Sequence, residues 1–267
     1  MLVTLRQPGL FAIAILVAAA GFAASDQSHT PSIGPAPEMR PPSAGYRFPV
    51  DKTYVYSVEW HLFNAGFARL SMQPGNAQHR VTAIADSVGM VNLLYSIHDR
   101  YEGYFDPHTF CSQRIVKHQE EGKRRRDTEI TFDYRQRKSI LNDKNLKTGE
   151  TKRFENDIPP CVTDVVTGFY YLASQPLQMG NSYDFPVNDG GKTTEVQAKV
   201  ESRDQVKVPA GNYQTIRVSA EPVAGPLKGK GKVSVWFTDD ASHTPVQMRA
   251  KLGWGTLVFR LQRVETK

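Results

Sequence analysis

The sequence holds little that would carry a reaction. Its 267 residues include only two cysteines, Cys111 and Cys161, and seven histidines. Those histidines (His29, His61, His79, His98, His108, His118 and His243) form no H-x-x-x-H or His/Asp group at metal-ligand spacing, so no metal is expected. A G-x-S-x-G elbow, an S-x-x-K pair and a phosphate-cradling glycine loop are all missing, which removes the common hydrolase and nucleotide signatures. His98 and Asp99 are adjacent, and adjacent strand residues point to opposite faces, so they do not read as a dyad. Cys161, just ahead of a helix start, is the one candidate nucleophile. A disulfide with Cys111 or a buried thiol is its more ordinary use, and the sequence leaves those two open. No catalytic residue and no cofactor is expected, and an enzyme is the least favoured reading.

Charge of one sign is also scarce. The net charge is +6, and the most basic stretch, Lys117–Lys138, carries acids among its cations, so it reads as a solvated hairpin face. With no nucleic-acid motif, no nucleic-acid partner is expected. After the N-terminal region no apolar run approaches the roughly 20 residues of a membrane helix, so stable membrane insertion is not expected. The first residues do show a pattern. Arg6 precedes the apolar run Leu10 to Ala20, and Gly21-x-Ala23 supplies small residues for cleavage, so residues 1–23 are expected to be a signal peptide. The protein is then exported, periplasmic or secreted, and no cysteine follows the run to take a lipid anchor. Residues 24–49, with six prolines between Ser25 and Pro49, read as a flexible linker ahead of a single β-rich domain over residues 50–267.

What is present is strand periodicity. Tyr54, Tyr56, Val58 and Trp60 alternate with Val55, Ser57 and Glu59, and a hairpin is expected over 52–73 with its turn at Asn64-Ala65-Gly66. His79 to Val88 continues the meander, and Met90 to Ser96 has room for a turn or two of helix. Residues 97–155 read as short strands broken at Asp106-Pro107, Glu121-Gly122-Lys123, Asn142-Asp143 and Thr148-Gly149. Six more strands are expected: Tyr183–Val187, Thr193–Val208, Tyr213–Pro222, Lys232–Thr238, Pro245–Lys251 and Thr256–Val264. One segment breaks the pattern. Val162, Val165, Val166, Phe169, Tyr170 and Ala173 recur at helical spacing between Pro159-Pro160 and Pro176, with Thr163 as the expected N-cap and Asp164 in the first turn. The expected fold is all-β and mainly antiparallel, a curled or half-open β-barrel or roll with one helical insertion near residues 161–174.

Four strings in order, TYVYSVEWHLFNAGFARLSM, DVVTGFYYL, VPAGNYQTIRV and VWFTDDASHTPVQM, resemble the exported bacterial proteins grouped as domain of unknown function 3108, over about residues 50–264. The resemblance implies a curled β fold of the bacterial envelope and brings no catalytic residues. Gly66 and Gly211 are read as turn residues, and Trp60 and Trp236 as core. Aromatic residues crowd the first strands and the helix, and a curled sheet closed by one helix can enclose an apolar cavity. Tyr54, Tyr56, Trp60, Phe169 and Tyr170 are therefore expected to line a ligand site. The function expected is a non-catalytic binding or carrier module for an apolar or amphiphilic molecule such as a lipid. The alternative is a structural or assembly factor of the cell envelope with a protein partner.

Overall fold

The computed structural model describes residues 37–60, 63–253 and 255–266. The expected signal peptide and the first part of the expected linker lie outside the described residues. Fourteen strands form one antiparallel sheet: β1 (Lys52–Trp60), β2 (Phe63–Gln73), β3 (His79–Ser87), β4 (Ile97–Phe105), β5 (Ser112–Glu121), β6 (Arg124–Asp133), β7 (Lys138–Asn145), β8 (Thr151–Asp157), β9 (Ser182–Asn188), β10 (Thr193–Val208), β11 (Gly211–Ala224), β12 (Gly231–Thr238), β13 (Pro245–Leu252) and β14 (Gly255–Thr266). Their order is β8-β7-β6-β5-β4-β3-β2-β1-β14-β13-β12-β11-β10-β9. Two meanders are thus joined where the first strand pairs with the last, Tyr56 lying opposite Leu261. Helix α1 (Gly89–Leu94) connects β3 to β4, and α2 (Val165–Ala173) lies between β8 and β9.

Strict up-and-down order gives the sheet two different ends. One end, the rim, holds the β1–β2, β5–β6, β7–β8, β9–β10, β11–β12 and β13–β14 turns together with α1. The opposite end, the base, holds both domain termini and the β8-to-β9 crossover with α2.

The sheet curls without closing, because β8 and β9 are its two unpaired ends. The β9–β10 turn instead tucks inside β7, where Ser139 Oγ donates to the Gly191 carbonyl at 2.9 Å. The outer edge of β9 is covered by the segment before α2. Thr163 makes a parallel bridge to Val187, donating its N–H to Pro186 and accepting from Asn188 N–H. At the other end β8 is exposed along almost its whole length and carries Lys152, Arg153, Glu155 and Asp157, charges of the kind that discourage edge-to-edge pairing.

Three local expectations are corrected. Asn64-Ala65-Gly66 is not the hairpin turn: β2 already begins at Phe63, and a register shift opposite Val58/Glu59 leaves Ala65 as the extra residue of a bulge. Gly66 is there for close approach, since a Cβ on it would lie 2.2 Å from the Asp86 carbonyl oxygen. Asn142-Asp143 sits inside β7, its polarity satisfied because Asp143 accepts from Thr128 Oγ1 at 2.9 Å and pairs with Arg126. The turn falls at residues 134–137 instead, with Arg137 at φ 58°. The linker also ends earlier than residue 49. Met39, Tyr46 and Phe48 pack on the core, and Ser43 N–H donates to Ser174 O at 3.0 Å, because three large apolar side chains anchor a segment whose prolines alone suggested mobility.

Helix α2 is shorter than expected and capped one residue later. Asp164, not Thr163, is the N-cap, accepting from Thr167 N–H at 2.8 Å. Its burial is not one-sided: Val166, Thr167, Gly168, Tyr170, Tyr171, Leu172 and Ala173 are all buried, while Val165 and Phe169 are only partly so. A helix lying inside a curled sheet, with residues 39–50 packed over it, has little face left for solvent.

Candidate functional site

The expected aromatic site divides in two. Tyr54 and Tyr56 on β1 and Tyr170 on α2 are buried together near the base. Tyr56 Oη donates to the Pro245 carbonyl at 2.7 Å, and His243 Nδ1 lies 2.7 Å from the Ala173 carbonyl at the end of α2. Burial raises the hydroxyl pKa values of Tyr56 and Tyr170 well above the usual phenol range. Between them runs a crevice of about 10 Å³, lined by Tyr46, Tyr54, Leu70, Phe169, Tyr170 and His243. That is the room of a single water. Trp60 is elsewhere, at the rim end of β1, roughly 20 Å along the strand from Tyr54 at 3.3 Å per residue.

The rest of the concave face is filled. Met72, Val81, Phe105, Phe110, Ile115, Ile130, Phe185, Phe237 and Leu261 contribute to one continuous core with the tyrosines. Phe105 and Phe110 stack at 5.7 Å between centroids, and Phe110 meets Tyr171 edge-on at 5.6 Å. Cys111 and Cys161 form a disulfide across a separation of 50 residues, with Cα atoms 5.1 Å apart. It pins the β4–β5 turn to the crossover leading into α2, beside the Ser112 N–H to Val162 carbonyl bond of 2.8 Å.

The family model described as "Protein of unknown function (DUF3108)" matches residues 55–262, more than three quarters of the chain and nearly all of this sheet. The chain belongs to the DUF3108 family. Among solved structures, the DUF3108 chain is similar in fold to a beta-barrel-like protein of domain of unknown function DUF1849 from Brucella abortus. The TM-score is 0.57 at 8% identity, over 82% of this chain and 98% of that one. At that identity the likeness is one of fold. No curated protein matches the chain significantly.

The polar interior of this DUF3108 domain was missed by reading Lys117–Lys138 as a solvated face. Lys117, 3% exposed, ion-pairs with Asp189 Oδ2 at 2.9 Å, donates to the Asp189 carbonyl and stands 5.7 Å from the Tyr101 ring centre. Tyr101 turns its hydroxyl toward the carboxylates of Asp164 and Asp189, and Ser112 Oγ donates to Asp164 Oδ2 at 2.7 Å. Gly103 leaves space for this carboxylate, which a Cβ would meet at 3.0 Å. Nearer the rim, Gln119 and Glu121 are buried on the same face of β5, and Glu121 faces Asp99 of β4. Burial, with the Glu121 charge beside it, pushes Asp99 up to about 7. Burial likewise raises Glu121, and it pushes Asp189 up to about 6 against the pull of Lys117.

Raised carboxylates such as Asp99 and Asp189 can exchange protons near neutrality, but among the described residues the cluster does not assemble a nucleophile with a base. Asp164 is committed to the helix cap and to Ser112, and His98, expected to be isolated from Asp99, reaches Asp86 on the outer face instead. Among the described residues no group of three His, Cys, Asp or Glu side chains is placed to hold a metal ion. The signal that would have found the cluster is the alternation Ile115, Lys117, Gln119, Glu121. It reads as polar-out until the curl of the sheet turns that face inward.

Proposed function

We propose that this chain is an exported, non-catalytic module of the bacterial cell envelope that acts through its outer surface, as a structural or assembly factor. The observation that carries the reading is the filled concave face. The aromatic residues expected to receive a ligand are spent on core packing and on α2, leaving a crevice with the room of one water. The Arg6, Leu10 to Ala20 and Gly21-x-Ala23 pattern supports export, and a disulfide suits an oxidising compartment. Such a module works by holding a partner protein. Cross-linking the periplasmic fraction of the native host should capture one defined partner in stoichiometric amount; its absence across cross-linkers of several lengths would contradict the proposal.

A second reading, a carrier of an apolar or amphiphilic ligand, draws on the crevice itself, where the buried Tyr170 hydroxyl has no hydrogen-bond partner among the described residues beside Tyr54 and Phe169. It requires α2 and residues 39–50 to swing away and open a space of lipid size. Burying about 200 Å² of ligand supplies roughly 5 kcal/mol before the association cost, so a small opening would not hold a ligand usefully. Titration of delipidated protein with an environment-sensitive fatty probe separates the two readings. Saturable micromolar binding supports a carrier, and its absence supports the surface module.

A further inference from the structure

The rim carries an apolar patch that the fold does not need. Met90, Leu93 and Leu94 on α1 are 77%, 85% and 79% exposed, and Phe63 on the neighbouring strand is 71% exposed. No residue of α1 is buried. The patch is contiguous: Val88 N–H donates to the Ala65 carbonyl at 3.1 Å, which sets α1 beside Phe63 and Phe67 on β2. Large apolar side chains this exposed on adjacent elements mark a surface that is covered in use.

The charge around the patch says what covers it. On one side Gly122 N–H bonds the Ser96 carbonyl at 2.7 Å, placing Lys123 next to the end of α1, and Lys147 follows in the β7–β8 turn. On the other side, past β1 and β14, stand Lys251 at the end of β13 and Lys228 in the β11–β12 turn. All four ammonium groups belong to exposed residues, and none is in an ion pair among the described residues. The carboxylates of the flanking turns are spoken for, Glu121 by Arg124 and Glu150 by Lys152. An uncharged, apolar centre flanked by unpaired lysines is the pattern that inserts into an acyl boundary while its cations meet anionic headgroups.

We infer that the rim docks on an anionic lipid surface, with Phe63, Met90, Leu93 and Leu94 entering the headgroup boundary and the flanking lysines contacting lipid phosphates. The domain would then stand on the bilayer by its rim, with the base and its crevice directed away. The inference deepens the envelope reading, and the two fail separately, since vesicle binding does not depend on a partner protein.

The test is co-sedimentation of the mature protein with vesicles of phosphatidylcholine alone or with phosphatidylglycerol added. Binding should need phosphatidylglycerol and weaken at 0.5 M salt, because surface charges are screened within about 4 Å there. Leu93→Ser/Leu94→Ser should bind at least about tenfold more weakly, and Lys228→Glu/Lys251→Glu should lose the lipid preference, each lysine being worth about fivefold. All four side chains are exposed, so both variants should melt like wild type. The inference is overturned by no wild-type sedimentation, by equal binding to both vesicles, or by unchanged binding of the leucine variant. A dimer in sedimentation velocity that the leucine variant dissolves would overturn it too, giving the patch to a second copy of the chain.

Discussion

Lys117 and Asp189 show how a single pair can decide whether a β strand faces in or out. Each is costly inside alone, and together they let a polar strand line the interior. Lys117→Met should therefore cost about 3–5 kcal/mol at pH 7.5 by stranding the Asp189 carboxylate. Because Asp189 can take a proton near pH 6, the cost should shrink at pH 5, and Lys117→Met/Asp189→Asn should recover most of it. Urea melts of the three proteins at both pH values read this out; additive losses would mean that the pair is not coupled. A second consequence concerns pH alone. Burial pushes Asp99 up to about 7 and Asp189 up to about 6, above the unfolded value near 3.9. Between about pH 4 and 7 the folded state then binds more protons, so wild-type stability should fall as pH rises across that window. A urea midpoint that is flat or higher at pH 7.5 than at pH 5 would count against these burial-driven shifts.

At the scale of elements, the crossover into α2 is held by its cap, its disulfide and the core beneath it. The disulfide closes a loop of 50 residues, so replacing Cys111 and Cys161 by serine should lower stability by about 4 kcal/mol, measured as the unfolding free energy extrapolated from urea melts. Unchanged stability would show that the crossover is held without it. Gly66→Ala on β2 should cost about 1–3 kcal/mol, since the Asp86 carbonyl must move away from the new methyl group; thermal melts of the variant decide it. Strands were the most legible elements. Thr193–Val208 matches its expected limits, and the others after α2 differ by a few residues, because period-two alternation survives wherever one face is apolar. The Asn64-Ala65-Gly66 and Asn142-Asp143 turns misled for one reason: turn-forming residues also serve bulges and buried hydrogen bonds, and only tertiary contacts distinguish these uses.

For the whole molecule, the curled antiparallel sheet with its helix could be read in the chain, while the contents of the concave face could not. An aromatic pattern is the same whether the rings line a pocket or fill it. Tyr54, Tyr56 and Tyr170 are buried in one continuous core, and the overlap that tucks the β9–β10 turn inside β7 sets Gly191 against Ser139 elsewhere in the same interior. That overlap depends on contacts between residues far apart in sequence, such as Ser139 with Gly191, which no local periodicity encodes. The claim on which the account rests is that this interior holds side chains and no cargo. Native mass spectrometry of the protein purified from its own host under gentle ionisation tests it most directly. The account predicts the mass of the mature polypeptide alone; a stoichiometric adduct of lipid mass, lost when Phe169 and Tyr170 are substituted, would contradict it.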